Sequence, residues 1–170
     1  ELPYGSGDRE GQIEYRLKDK DYTTYTTIHQ YDSSYEEDVE IVLQKASAGA
    51  EDIPVFIVGD GFDAEQIRDG EYLELIEQQM EYFFDIEPYK TYRDYFTVST
   101  AVAHSYESGI GNVVNHKETR FGSVDDCGNF RCDYNKLKEY VISVSDGINH
   151  GNLNRSLIIL LLNTHQFGGT

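Results

Sequence analysis

The residues of this sequence that could carry out chemistry lie in short polar segments, and no segment holds a complete catalytic set. No HExxH pattern occurs, the spacing that places two histidines and a general base around zinc. No GxSxG nucleophile elbow and no GxGxxG or GxxxxGKS/T phosphate loop occurs either. The histidines are dispersed, at His29, His104, His116, His150 and His165. The sequence therefore predicts no catalytic residue and no metal ligand set in this chain.

Two acidic segments contain oxygen ligands of the kind that calcium prefers, although neither matches the spacing of an EF-hand loop. The candidate residues are Asp60 and Asp63 in the first segment and Asp125, Asp126, Asn129 and Asp133 in the second. Helix capping and turn formation explain the same residues, because Asp and Asn favour both kinds of position. The sequence leaves both interpretations open.

The two cysteines, Cys127 and Cys132, lie in one segment rich in Gly, Asn and Asp. In an oxidising compartment they could close a small disulfide loop around a turn, and the alternative is a pair of free thiols. Two cysteines cannot form a structural zinc site, because such a site needs four ligands.

Composition limits the partners and the compartment. The 170 residues carry 14 Lys and Arg against 31 Asp and Glu, a formal charge of −17, which argues against nucleic acid and anionic membranes as partners. The longest apolar run, Leu157–Leu162, is too short to span a bilayer. The chain opens at Glu1 and its only methionine is Met80, so we expect that residues upstream have been removed.

Residues 1–52 are predicted to be an extended lead-in with one or two short strands, of which Ile13–Leu17 has the strongest pattern, and residues 53–170 an α/β portion. Hydrophobic periodicity places two helices in that portion, capped by Asp63 and Asp133. The predicted strands are Val55–Val58, Tyr95–Val102 and Ser156–Leu162, the last expected to be the most buried. The resulting β-α-β-α-β order predicts a parallel or mostly parallel sheet.

Polar, glycine-bearing segments follow each predicted strand of this sheet. They are Gly59–Asp63, His104–Gly109 and Asn163–Gly169. Ligands of such sheets collect beyond the carboxyl ends of the strands, so each segment could line a site. The polar stretch from Ser105 to Asn129 is longer than an ordinary connection and is a candidate functional loop.

Several short motifs, in the same order along residues 53–170, resemble the IgA-peptidase family of zinc metallopeptidases, which are mainly bacterial and exported. The first is the string from Ile53 to Phe62, which resembles the opening of that family's catalytic domain. The further motifs are Phe83-Phe84 before Pro88-Tyr89, Tyr92–Phe96, Ser105–Gly109, Thr119–Gly122, and Leu157–Asn163 followed by Gly168-Gly169.

The resemblance implies the amino-terminal half of a zincin-like peptidase domain from an exported protein that hydrolyses peptide bonds with zinc-activated water. In that family the zinc ligands lie on an HExxH-type helix beyond the Gly-Gly segment, so no ligand and no general base is carried over to this chain. Zinc is then a cofactor of the parent protein only, and the 170 residues alone are expected to be inactive. The resemblance suggests Ser105, Glu107, Gly109 and His165 as residues lining the substrate cleft, and a buried structural loop is the alternative.

Two further expectations concern partners. The parent protein is expected to act on a protein or peptide, and exposed apolar surface on the Ile158–Leu162 strand is expected to favour self-association. The competing hypothesis is a stand-alone acidic module that binds calcium, a glycan or a protein.

Overall fold

A computed structural model describes residues 10–18, 24–32, 37–48 and 52–164. The chain divides into two compact units, Glu1–Glu36 and Glu37–Thr170. In the first unit, strands β1 (Glu10–Lys18) and β2 (Thr24–Asp32) form an antiparallel pair in which Glu10 lies opposite Asp32 and Lys18 opposite Thr24. The predicted strand Ile13–Leu17 falls within β1.

The second unit contains a four-stranded mixed sheet and a three-stranded sheet. Its strands are β3 (Glu40–Gln44), β4 (Ile53–Asp60), β5 (Phe96–Ala101), β6 (Gly111–Asn112), β7 (Val124–Asp126), β8 (Asn129–Arg131) and β9 (Leu157–Leu162). Its α-helices are α1 (Ala64–Arg68), α2 (Glu71–Phe84) and α3 (Tyr134–Val144). The larger sheet has the order β3-β5-β4-β9. The smaller sheet, β6-β7-β8, begins within the polar stretch from Ser105 to Asn129 that is predicted to be a loop, and β8 extends past its end.

The larger sheet is mixed, so the mostly parallel β-α-β-α-β arrangement is not confirmed. Strand β4 runs parallel to β5 and β9, but β3 pairs antiparallel with β5. The prediction left this segment in the lead-in. Just before β3, Glu37 bridges Val102, and the Asp38 N–H donates to the Val102 carbonyl at 3.2 Å. The chain therefore joins the sheet at the carboxyl end of β5 and runs back along that strand.

Strand β4 is buried on both faces, as its continuous apolar sequence predicts. Val55 and Ile57 belong to the hydrophobic cluster that packs against α2, whereas Phe56 and Val58 belong to the cluster that packs against α3. Because neighbouring residues of a strand face opposite sides, the two helices cover opposite faces of the sheet. This places β4 at the centre of the fold.

Local sequence sets the helix boundaries. Asp63 caps α1 through the predicted capping box with Gln66, and Asp133 caps α3 by accepting a hydrogen bond from the Lys136 N–H at 3.0 Å. Gly70 has a φ of 84°, a conformation that interrupts the helix and separates α1 from α2. Both predicted caps are confirmed.

The expectation that the Leu157–Leu162 strand is the most buried one is wrong. Leu157 is 37% exposed and the other β9 residues are only partly buried, whereas Val55 to Val58 of β4 are at most 1% exposed. Among the described residues β9 pairs with β4 alone, so it forms an edge of the sheet. An edge strand has less cover than a central one however apolar its sequence.

Within the part of the chain that the structure describes, no helix is long and apolar enough to cross a membrane.

Candidate functional site

The polar segments that follow β4, β5 and β9 meet at one edge of the sheet, which we call the carboxyl edge. The Gly109 N–H and the Asn163 Nδ2 both donate to the Gly61 carbonyl, at 2.7 and 2.8 Å. The Asn163 N–H also donates to the Asp60 carbonyl at 3.0 Å. Helix α2, which comes after β4, and helix α3, which comes before β9, cover opposite faces of the sheet. In open α/β sheets, ligands bind beyond the carboxyl ends of the strands where the chain changes face in this way.

A buried polar cluster lies beneath this edge, centred on Asp60, whose exposed fraction is 0%. One carboxylate oxygen, Oδ1, accepts from the Gly61 N–H, the Ser105 hydroxyl and the Phe121 N–H, each at 3.1 Å. The other, Oδ2, accepts from the Thr119 hydroxyl at 2.9 Å and the Ser123 N–H at 3.1 Å. The Asp60 cluster is defined by these residues: Asp60, Gly61, Ser105, Thr119, Phe121 and Ser123. It joins the end of β4 to both ends of the long loop that follows β5.

Ser105, a predicted cleft residue, is a fully buried member of the Asp60 cluster. Its hydroxyl donates to Asp60 and accepts from the Gly61 N–H at 2.9 Å and the Arg120 N–H at 3.0 Å. These contacts hold the loops in place and correspond to the structural alternative that the sequence left open.

The other predicted cleft residues lie in different surroundings. Glu107 is exposed, and its Oε2 accepts from the Glu118 N–H at 2.7 Å. Gly109 has a φ of 77° and lies against Gly61, where an added Cβ at Gly61 would come within 2.7 Å of the Gly109 carbonyl oxygen. That approach requires glycine at Gly61. His165 lies outside the described residues.

Four polar residues that were not named individually as cleft residues lie together at the surface of the carboxyl edge. The Gln66 Oε1 accepts from the Ser108 hydroxyl at 2.9 Å and the Asn163 Nδ2 at 2.8 Å. The Lys117 Nζ donates to the Ser108 carbonyl. Amide, hydroxyl and ammonium groups can hydrogen-bond a polypeptide backbone, but this set includes no nucleophile with its base. The sequence offered one signal, since Asn163 is the first polar residue after an apolar strand.

The aspartates considered for calcium are not brought together. Asp63 caps α1, and Asp60 is enclosed in its cluster. In the β7–β8 hairpin, Asp125 accepts from the Gly128 N–H at 2.6 Å, and Asp126 forms an ion pair with Arg131. Among the described residues, no group of three or more His, Cys, Asp or Glu is placed to hold a metal ion.

Cys127 and Cys132 are free thiols in this conformation. Cys127 and Gly128 form the hairpin turn with φ values of 54° and 89°, and Cys132 follows β8. Three extended residues carry Cys132 about 10 Å from the turn, beyond the Cα separation of a disulfide, about 4.4–6.8 Å. A disulfide bond between Cys127 and Cys132 would therefore require the hairpin to open. The disulfide stays a prediction for an oxidising compartment.

Two buried tyrosines brace the strands behind the carboxyl edge. Burial raises the pKa of Tyr72, whose hydroxyl accepts from the Gly59 N–H at 3.0 Å and donates to the Ala101 carbonyl at 2.6 Å. Burial also raises the pKa of Tyr140, and the nearby Asp38 carboxylate adds to the effect. Both phenols are therefore held in the neutral form.

Comparison with protein families gives one match. A family model described as IgA Peptidase M64 matches residues 41–170, and this confirms the resemblance drawn from the motifs. No curated protein matches the chain. The match begins within β3, the strand that the sequence had placed in the lead-in.

Proposed function

The chain belongs to the IgA peptidase M64 family, and on that premise we propose that it supplies the sheet and one wall of the substrate cleft in an exported zinc metallopeptidase. The family is one of metallopeptidases, so the substrates of the whole protein are proteins. Zinc, when bound in such an enzyme, supplies an activated water that attacks the peptide bond.

The described residues do not fit a zinc site. They contain no group of three potential ligands, and the sequence contains no HExxH pattern. We therefore assign no catalytic step to residues 37–48 and 52–164, and the proposal places the zinc ligands and the general base on other residues of the parent protein.

The observation that supports a cleft wall is the direct hydrogen bonding between the segments that follow β4, β5 and β9 at the carboxyl edge. Gly61, Gly109 and Asn163 are joined there by hydrogen bonds of 2.7 and 2.8 Å. The Asp60 cluster fixes them from below, so their positions are set before a substrate arrives. A wall that is already ordered loses little entropy when it binds a peptide. Glu107 and Gly109 remain the candidates for contact with the substrate.

The experiment compares the 170-residue chain with the full product of the gene. Zinc content is measured by mass spectrometry, and cleavage of casein is measured with and without a chelator. We expect the full product to bind zinc and to lose activity with the chelator, and the shorter chain to do neither. Fractionation of the native cells tests the exported location.

Two results would contradict the proposal. Chelator-sensitive cleavage by the 170-residue chain would show that its own residues hold a metal. A full product that lacks zinc-dependent cleavage would instead favour the acidic binding module for calcium, a glycan or a protein.

A further inference from the structure

One tight turn in the long loop after β5 presents two valines to solvent. We call Asn112–Asn115 the valine turn, because Val113 and Val114 are its corner residues. The Asn112 N–H donates to the Asn115 carbonyl at 2.9 Å. Corner positions of turns favour Gly, Pro, Asn, Asp and Ser, so two β-branched apolar residues are unusual there. Val113 is 48% exposed and Val114 is 82% exposed, and neither belongs to a hydrophobic cluster.

The valine turn is held in this shape by hydrogen bonds within it. The Asn112 Oδ1 accepts from the Val114 and Asn115 N–H groups at 2.9 and 2.8 Å. Strand β6 enters the turn and pairs with β7, and an added Cβ at Gly111 would lie 2.6 Å from the Lys117 nitrogen. The exposure of the valines therefore follows from an ordered turn.

The same loop is attached to the candidate site. The Glu107 N–H donates to the Glu118 carbonyl at 3.1 Å, which closes the loop, and Ser105 and Thr119 on either side belong to the Asp60 cluster. Tyr106, at the base of the loop, is 80% exposed. Among the large apolar and aromatic side chains whose exposure is described, Val114 and Tyr106 are the two most exposed. Both lie on the long loop after β5, which borders the carboxyl edge.

We propose that the valine turn is a contact element for apolar side chains of an extended protein substrate. The proposal rests on the proposed function, which makes the substrate a protein. Contiguity with the carboxyl edge favours this partner, since a peptide bound there passes beside the loop. The formal charge of −17 disfavours an anionic membrane. Neither valine belongs to a hydrophobic cluster of the described residues, and together with Tyr106 they place exposed apolar surface on one ordered loop.

The test measures peptide binding by the zinc-free 170-residue chain, using fluorescence anisotropy of two labelled ten-residue peptides. One peptide is rich in Leu and Phe, and the other is built from Ser and Gly. The variant V113T/V114T keeps the β-branched shape but replaces apolar methyls with hydroxyls. The control V39T/V42T makes the same change at two valines that are each 45% exposed elsewhere. We expect V113T/V114T to weaken binding of the apolar peptide about tenfold, and the control to change it less than about twofold.

Several outcomes would overturn this inference. They are an equal effect of both variants, no effect of V113T/V114T, and no preference of the wild-type chain for the apolar peptide. Valine-dependent binding to phosphatidylcholine vesicles without peptide binding would assign the turn to membranes. A valine-dependent change in mass by light scattering would assign it to self-association. Peptide binding is measured without zinc and cleavage is measured separately on the full product. The valine turn can therefore fail to bind peptide while the full product still cleaves protein, and it can bind peptide even if the full product does not cleave protein.

Discussion

Asp60 and the Asp125–Asp126 pair belong to two separate candidate calcium segments, and the structure gives the two regions opposite characters. Asp60 is fully buried and bonds to Ser105, Thr119, Phe121 and Ser123, which lie 45 to 63 residues away in sequence. In the part of the chain that the structure describes, the Asp125 and Asp126 side chains bond within the hairpin, to Gly128 and Arg131. One region therefore connects the end of β4 to a loop that is distant in sequence, whereas the other shapes a single turn.

The difference shows that burial and the number of hydrogen-bond donors around an aspartate decide how much it contributes to the stability of the fold. A buried acceptor that loses its partners, or a donor that loses its acceptor, costs the full desolvation of the group. An exposed ion pair exchanges its partner for water at little cost. The comparison can be tested by substituting one residue in each region, and the largest effect is expected at Asp60.

Asp60→Asn is expected to lower the free energy of unfolding by about 2–4 kcal/mol. The amide nitrogen is a donor, so on one side of the side chain it would face another donor, the Ser123 N–H or the Phe121 N–H, where the carboxylate had an acceptor. Urea unfolding followed by circular dichroism measures the change.

The control for Asp60→Asn is Asp94→Asn, at an exposed position. We expect the control to change the free energy of unfolding by less than about 0.5 kcal/mol. A cost below about 1 kcal/mol at Asp60 would show that the buried cluster does not stabilise the fold, and the contrast between the two regions would fail.

The parts of the fold that depend on local sequence were predictable. The continuous apolar run Val55–Val58 indicates a strand buried on both faces, and the capping signals at Asp63 and Asp133 place the starts of α1 and α3. The family was also recognisable, because short motifs keep their order along the chain. Each of these signals is complete within a few residues.

The parts that depend on distant pairing were not predictable. Nothing near Asp60 indicates that Ser105 and Thr119 will donate to it, since their contact follows from the crossover geometry of the sheet. The antiparallel pairing of Glu40–Gln44 with β5 joins residues that lie 54 to 61 positions apart in sequence. The partial exposure of Leu157–Leu162 depends on strand order, which hydrophobicity alone does not report.

A second prediction concerns Tyr72, which braces the strands behind the Asp60 cluster. Tyr72→Phe is expected to cost about 1–3 kcal/mol at neutral pH, because the buried Gly59 N–H loses its acceptor. Burial raises the pKa of Tyr72 above the usual 10.0, so the unfolded chain releases the phenolic proton first as pH rises. The stabilisation is therefore complete below about pH 10 and is lost as the pH rises above it.

Unfolding midpoints at about pH 8 and about pH 11 measure this effect. The loss of stability at the higher pH should be smaller in Tyr72→Phe than in the wild-type chain. Tyr82→Phe is the matched control, since it makes the same change at a tyrosine that is 57% exposed. An equal alkaline loss in all three proteins would show that Tyr72 does not contribute to it.

The smallest effect is expected in the hairpin. Asp126→Asn removes the ion pair with Arg131, whose side chain is 68% exposed, and should cost about 0.2–1 kcal/mol. A double-mutant cycle with Arg131→Gln isolates the pair, and raised salt should reduce the coupling because exposed charges are screened. If Asp126→Asn lowered the free energy of unfolding as much as Asp60→Asn, contacts within one hairpin would stabilise this fold as much as a buried network does. Burial would then not explain the difference between the two regions.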